Sequence, residues 1–153
     1  MITVNIGSEV NTMSADLDRA KELLSTGQYT CVLCRGEAIH TSTSRGVRPL
    51  LELLDSGKSY QDFSASDKVV GKATAFLYIL LGIREIHAQV ISKAAISALR
   101  AHNVPVQWDT LVPAISNRER TGFCPMETAV REIEDPTEAL HAVRAALKAL
   151  QQA

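Results

Sequence analysis

The pattern of apolar and polar positions switches several times between the helical and the extended period. Ser14 opens a helical pattern with Asp16 and Asp18 in its first turn, an apolar stripe at Leu17, Ala20, Leu23 and Leu24, and Gly27 as its stop. Tyr29 to Cys34 is apolar on both faces, as a strand inside a covered sheet is, and Arg35-Gly36 predicts a tight turn into a second strand over Glu37 to Thr43. Ser44-Arg45-Gly46-Val47-Arg48-Pro49 reads as a loop entering a short helix built on Leu50, Leu51, Leu53 and Leu54 and closed by Ser56-Gly57. Met1 to Thr12 carries no decisive pattern.

The longest apolar block lies from Ser64 to Leu81 and is expected as a single helix capped by Ser66 or Asp67. Its second half, from Ala73 through Phe76, Leu77 and Tyr78 to Leu81, is apolar on every side, which places it at the centre of the domain. Gly82 marks its exit, and Arg84 to Ile91 reads as a strand. Ser92 caps the next helix, with Ala95, Ile96 and Leu99 inward. Val104 to Trp108 predicts a strand near whose start Pro105 sits. Beyond a polar loop from Ile115 to Phe123, Cys124-Pro125-Met126-Glu127 opens a helix, and Asp135-Pro136-Thr137-Glu138 opens the last one. Helices alternating with strands after one hairpin predict an α/β three-layer sandwich around a mixed sheet.

At 153 residues, 46% of them hydrophobic and 22% charged, the chain is expected to form a single domain over 1–153. A net charge of -1 supplies no broad basic field, so general nucleic-acid binding and membrane-surface binding are not expected. The N-terminus lacks the basic and apolar regions of a secretion signal, and three cysteines make no disulfide framework, so a cytoplasmic location is expected. Cys31 and Cys34 are three apart on a strand and point to opposite faces, as core residues rather than a metal or redox pair. His40 and His87 read as core or edge histidines on strands.

Positive charge gathers around the central block. Lys68 and Lys72, four apart, would share one helical face at the positive end of the dipole, an arrangement that favours a bound anion. The alternative is that both extend to solvent or pair with an acid. Ser42, Ser44, Arg45, Gly46 and Arg48 form a hydroxyl- and guanidinium-rich loop, in which arginine can grip phosphate through two parallel bonds and Gly46 exposes backbone amides. Asn117 and Arg118 lie on the polar loop before Cys124. Cys124 itself occupies a helix start that favours thiolate, and Glu127 is either a base or a cap.

From Tyr29 to about Glu134 the chain resembles a small bacterial and archaeal family of domains of unknown function. The resemblance rests on three blocks: Thr43-Ser44-Arg45-Gly46-Val47-Arg48-Pro49-Leu50; Asp67-Lys68-Val69-Val70-Gly71-Lys72-Ala73; and Asn117-Arg118 followed by Thr121-Gly122-Phe123-Cys124-Pro125-Met126-Glu127. That family looks like a branch of the cytidine deaminase-like fold, which implies a mixed sheet sandwiched by helices. Zinc deaminases set a His or Cys and a Glu at the start of the central helix and a Pro-Cys-x-x-Cys pair at the start of the next. Here the corresponding stretches read Ser66-Asp67-Lys68-Val69 and Ile91-Ser92-Lys93-Ala94. No metal ligand set, no cofactor and no zinc-dependent deamination are expected.

The function expected from these features is binding of a phosphate-bearing small molecule such as a nucleotide, lined by Ser44, Arg45, Gly46, Asp67, Lys68, Lys72, Asn117 and Arg118. Two other classes stay open. One is a metal-independent hydrolase or transferase using Cys124 as nucleophile, or Asp67 or Glu127 as base. The other is an interaction module that assembles as a homo-oligomer.

Overall fold

The computed structural model describes residues 15–116 and 124–152. Helix α1 covers residues 15–26. A hairpin follows, β1 (Cys31–Arg35) and β2 (Ala38–Ser42), paired antiparallel with Arg35 opposite Ala38. The two-residue turn needs a positive φ, which Gly36 supplies at 58°. Helix α2 (Arg48–Asp55) leads to β3 (Ser64–Val70), α3 (Lys72–Leu81), β4 (Glu85–Ser92), α4 (Lys93–Ala101) and β5 (Val106–Val112). Helices α5 (Pro125–Val130) and α6 (Pro136–Gln152) complete the described chain.

The five strands form one mixed sheet in the order β2-β1-β3-β4-β5. Strand β1 runs antiparallel to both its neighbours, whereas β3, β4 and β5 are parallel and joined by α3 and α4. Helices α2 to α6 gather on one face around α3, and the larger core of Phe76, Leu77, Tyr78, Ile86 and Leu99 fills the space beneath them. On the other face Ala20 and Leu24 of α1 pack against Val32 and Cys34. The result is an α/β three-layer sandwich. Cys31 belongs to the first core and Cys34 to the second, as the strand period requires.

Two boundaries differ from the expectation. The block from Ser64 to Leu81 is a strand and then a helix, broken at Gly71. Residues Ser64 to Val70 are drawn into the sheet because β1 and β4 flank them on both sides and satisfy their backbone groups. Ser66 and Asp67 are therefore strand residues, not helix caps, and Lys68 and Lys72 share no helical face. Strand β5 starts after Pro105 and runs on to Val112, so the proline lies just outside the pairing. The all-apolar character of α3 does place it at the centre: every residue from Lys72 to Tyr78 is buried. Ser92 caps α4 by accepting the Ala95 amide at 3.2 Å, and Asp135 caps α6 by accepting the Glu138 amide at 2.9 Å. Among the described residues no helix is long and apolar enough to cross a membrane.

Candidate functional site

A cleft of about 940 Å³ opens beside the carboxyl end of β3. In open α/β sheets this is where ligands bind, because loops leaving parallel strands diverge there. One wall is the loop from Thr43 into the first turn of α2, and all eight residues from Thr43 to Leu50 line it. The floor is Cys31, Asp67, Lys68 and Val69, with Gly71, Ala73 and Thr74 from the β3–α3 junction. The opposite wall combines Ile115 and Ser116, the first turn of α5 from Cys124 to Glu127, and Leu147, Leu150 and Gln151 near the end of α6.

The Ser44 loop is shaped by short polar contacts. The Thr30 hydroxyl donates to the Ser42 and Ser44 carbonyls, and the Ser44 amide donates to the Ser42 hydroxyl at 3.1 Å. Gly46 takes a positive φ of 71°, which turns the chain into α2 and points Arg45 and Arg48 outward. Among the described residues, the side chains of Arg45, Arg48 and Lys68 have no acidic partner. Exposed apolar surface lies beside these cations, since Val69 is 45% and Leu150 50% exposed.

Asp67 stands on β3 directly opposite Cys31, so both face α3. The Tyr78 hydroxyl donates to Asp67 Oδ2 at 2.6 Å and the Val69 amide donates to Oδ1 at 3.2 Å. Desolvation pushes the Asp67 carboxyl up to about 6, against the pull of those two bonds and of the Lys68 amide. Burial also raises the Cys31 thiol and the Tyr78 phenol well above their ordinary ranges, and the Asp67 charge adds to both. A half-buried carboxyl thus stands over a buried phenol and a buried thiol at the cleft floor.

The two groups expected to face an anion together are separated. Lys72 is not among the residues lining the cleft. Its ammonium donates to the Arg131 carbonyl at 3.0 Å and to Glu134 Oε1 at 2.9 Å, and lies 5.7 Å from the Phe76 ring centre. The anion at the α3 N-terminus is the protein's own Glu127. Its Oε1 accepts the Lys72 amide at 2.6 Å and its Oε2 accepts the Ala73 amide at 2.8 Å. One carboxylate therefore satisfies two of the free N–H groups of the central helix from across the cleft. Gly71 makes the approach possible: a Cβ there would lie 2.5 Å from the Glu127 carboxyl carbon. Glu127 is a cap, though for α3 and not for its own helix.

Cys124 is the half-buried N-cap of α5 and lines the cleft. None of the four histidines lines it with Cys124, so no imidazole base serves the thiol there. Asn117 and Arg118 lie outside the described residues. On the opposite face of the sheet is an arrangement that the sequence did not disclose. Ser66 Oγ lies 2.8 Å from His87 Nδ1, and His87 Nε2 lies 3.0 Å from Asp109 Oδ1. Ser66 is fully buried opposite Val32 and His87 nearly so, so this chain ties β3, β4 and β5 together and meets solvent at its Asp109 end. Parallel register, which brings Ser66 beside His87, is the signal that would have found it.

The family model described as "TM1506: domain of unknown function (DUF1893)" matches residues 19–147. The chain belongs to the DUF1893 family. The match extends beyond the expected 29–134 at both ends, taking in most of α1 and α6. A crystal structure of a DUF1893 family protein (TM1506) from Thermotoga maritima is similar at 26% identity and a TM-score of 0.77, covering 88% of this chain and 89% of that one. A diaminohydroxyphosphoribosylaminopyrimidine deaminase/5-amino-6-(5-phosphoribosylamino)uracil reductase, also from Thermotoga maritima, gives a TM-score of 0.38 at 15% identity, over 65% of this chain and 36% of that one. No curated protein matches the chain in sequence. In this DUF1893 member the described parts of all three sequence blocks that carry the family resemblance come together at the one cleft.

The helix starts that follow β3 and β4 read Gly71-Lys72-Ala73-Thr74 and Ser92-Lys93-Ala94-Ala95. Neither holds a cysteine or histidine, and the amides at the first are already engaged by Glu127. Among the described residues no three His, Cys, Asp or Glu side chains come together as a metal site. At these two helix starts the donor set does not fit a zinc ion.

Proposed function

We propose that the cleft binds a small molecule carrying a phosphate group, a nucleotide or a derivative of one, on a deaminase-like scaffold refitted for that ligand. The observation that carries the reading is that three exposed cations without acidic partners among the described residues, Arg45, Arg48 and Lys68, line a cleft of about 940 Å³. Such a volume suits a ligand of nucleotide size. Guanidinium groups grip phosphate oxygens in pairs, the Lys68 ammonium adds a point charge, and the Ser44 hydroxyl supplies a neutral bond. Val69 and Leu150 offer apolar surface for a flat ring. Lys72 has no part in this reading, because Glu134 and the Arg131 carbonyl hold its ammonium.

Isothermal titration with nucleoside monophosphates and with ribose 5-phosphate tests it. Saturating ligand at a hundred times Kd stabilises the fold by about 2.7 kcal/mol, readable as a rise in Tm. The double variant Arg45→Ala, Lys68→Ala should stay folded and lose the binding. Absence of any heat or Tm shift across the panel would remove the proposal.

A second reading is favoured by one observation, the Asp67 carboxyl held near neutrality at the cleft floor. A group poised there can move a proton at a bound substrate, which is the metal-independent enzyme with Asp67 as acid or base. Glu127 does not fill that role, since both of its oxygens accept backbone amides.

A further inference from the structure

The cleft has a positive rim, and its floor carries a carboxyl that has no cationic partner among the described residues. Asp67 accepts one bond at each oxygen, from the Tyr78 hydroxyl and the Val69 amide, while the neighbouring Lys68 amide, which also favours the charged carboxylate, donates to the Thr30 carbonyl at 3.0 Å. A carboxylate oxygen has two lone pairs, so each keeps one after these bonds. The groups packed around it bring no compensating charge. Tyr78 from α3 and Cys31 from β1 are neutral, and Lys68, next along its own strand, is an exposed residue. Of the other charged groups on the cleft, Arg45 and Arg48 stand on the loop wall, and Glu127 from α5 faces the α3 amides. A partly desolvated carboxylate with lone pairs to spare is a demand for donors, and the cleft that Asp67 lines can supply them.

Resting on the phosphate-binding reading above, we propose that Asp67 selects a ligand whose ring edge presents two adjacent N–H donors, as guanine does with its N1–H and 2-amino group, while the phosphate lies against the Arg45 and Lys68 rim. An adenine-type edge sets a ring-nitrogen acceptor beside its amino donor, and that acceptor meets a carboxylate oxygen with repulsion. Protonated Asp67 presents one donor and one acceptor and suits the adenine-type edge instead. Because burial holds this carboxyl at about 6, the preference is a function of pH within the range where the protein can be handled. Above that value Asp67 is a double acceptor and favours the guanine edge. Below it the advantage disappears.

The test compares dissociation constants of GMP, AMP and ribose 5-phosphate by titration at about pH 8 and about pH 5. Ribose 5-phosphate has the same kind of phosphate monoester, whose own titration near pH 6 therefore cancels in each ratio. At the higher pH GMP should bind roughly tenfold or more tightly than ribose 5-phosphate, the worth of a hydrogen bond to a charged group, and AMP should gain little. At the lower pH the GMP ratio should fall toward that of AMP. Asp67→Asn should abolish the pH dependence of the ratio. Tyr78→Phe withdraws a donor from the carboxylate, so the midpoint at which the GMP preference fades should move to higher pH, and this variant keeps the proposal testable should the first fail to fold. Equal ratios for GMP and AMP at both pH values, with all three ligands bound, would overturn the role of Asp67 and leave the phosphate site standing. Binding of none of the three would overturn both.

Discussion

The Glu127 clamp on α3 makes a sharp energetic prediction through a double-mutant cycle with Gly71. Glu127→Ala removes two backbone bonds to a charged acceptor, at 2.6 and 2.8 Å. Hydrogen bonds to charged groups contribute about 1.5–3 kcal/mol each, but removal of the Glu127 side chain leaves room for water at the freed amides, so the net cost should be about 2–3 kcal/mol. Gly71→Ala perturbs the same contact from the other side. Its backbone, at φ −98° and ψ −178°, is extended and open to any residue, so only space excludes a side chain. The three atoms nearest to the added Cβ all belong to the Glu127 carboxyl, at 2.5 to 2.7 Å. Overpacking of that kind costs about 1–3 kcal/mol. In the Glu127→Ala background the obstruction is gone, and Gly71→Ala should be neutral or stabilise by up to about 1 kcal/mol by restricting the unfolded chain. Urea unfolding of the four proteins, with the slope m held constant, gives the coupling directly, and it should reach about 1–3 kcal/mol. Additivity of the two substitutions within about 0.5 kcal/mol would refute the reasoning, since it would mean that the carboxylate does not occupy the space at Gly71 in solution.

Two further outcomes follow from the cleft floor. Asp67 has its folded pKa raised from 3.8 to about 6, so the folded state holds the proton more tightly than the unfolded chain; the stability this gives is full below about pH 4 and is lost as pH rises through 6. Asp67→Asn should therefore stabilise the protein by roughly 1–3 kcal/mol at pH 8 and far less at pH 4.5. Equal urea midpoint shifts at the two pH values would contradict it. Of the three thiols, the half-buried Cys124 should react with a chromogenic disulfide in the folded protein, whereas Cys31 and Cys34 should react only in denaturant. Rapid labelling of more than one thiol in the native state would show that the floor beneath Asp67 is open to reagents.

Local chemistry made much of this architecture legible. Ser92 ahead of an amphipathic run announces α4, the Arg35-Gly36 turn announces the hairpin, and the unbroken apolar surface from Ala73 to Leu81 announces a helix that others must surround. The loop around Arg45 was legible as an exposed, cation-rich turn because its residue types allow little else. What stayed hidden depends on partners far away in the chain. Ser66 and Asp67 have the composition of a helix cap, and only pairing with β1 and β4 turns them into strand. Lys72 and Glu134 meet because α5 and α6 fold back over α3, and that pair joins a buried ammonium, 9% exposed, to a carboxylate 79% exposed. No spacing rule relates Glu127 to the amides of Lys72 and Ala73, which it reaches from 55 residues on. The glycine at 71 was visible, but its purpose was not.

That long-range clamp also bears on the order in which the molecule comes together. Helices are usually started by a residue just upstream, so cap and helix are made in one local event. The innermost helix here borrows its starter from a segment that arrives only after both parallel crossovers have been laid down. Closing so long a span is entropically slow, and until it happens the first turn of the core has bare amides. The cleft shares its walls with that same late segment, so it exists as a finished shape only in chains whose assembly has run to the end.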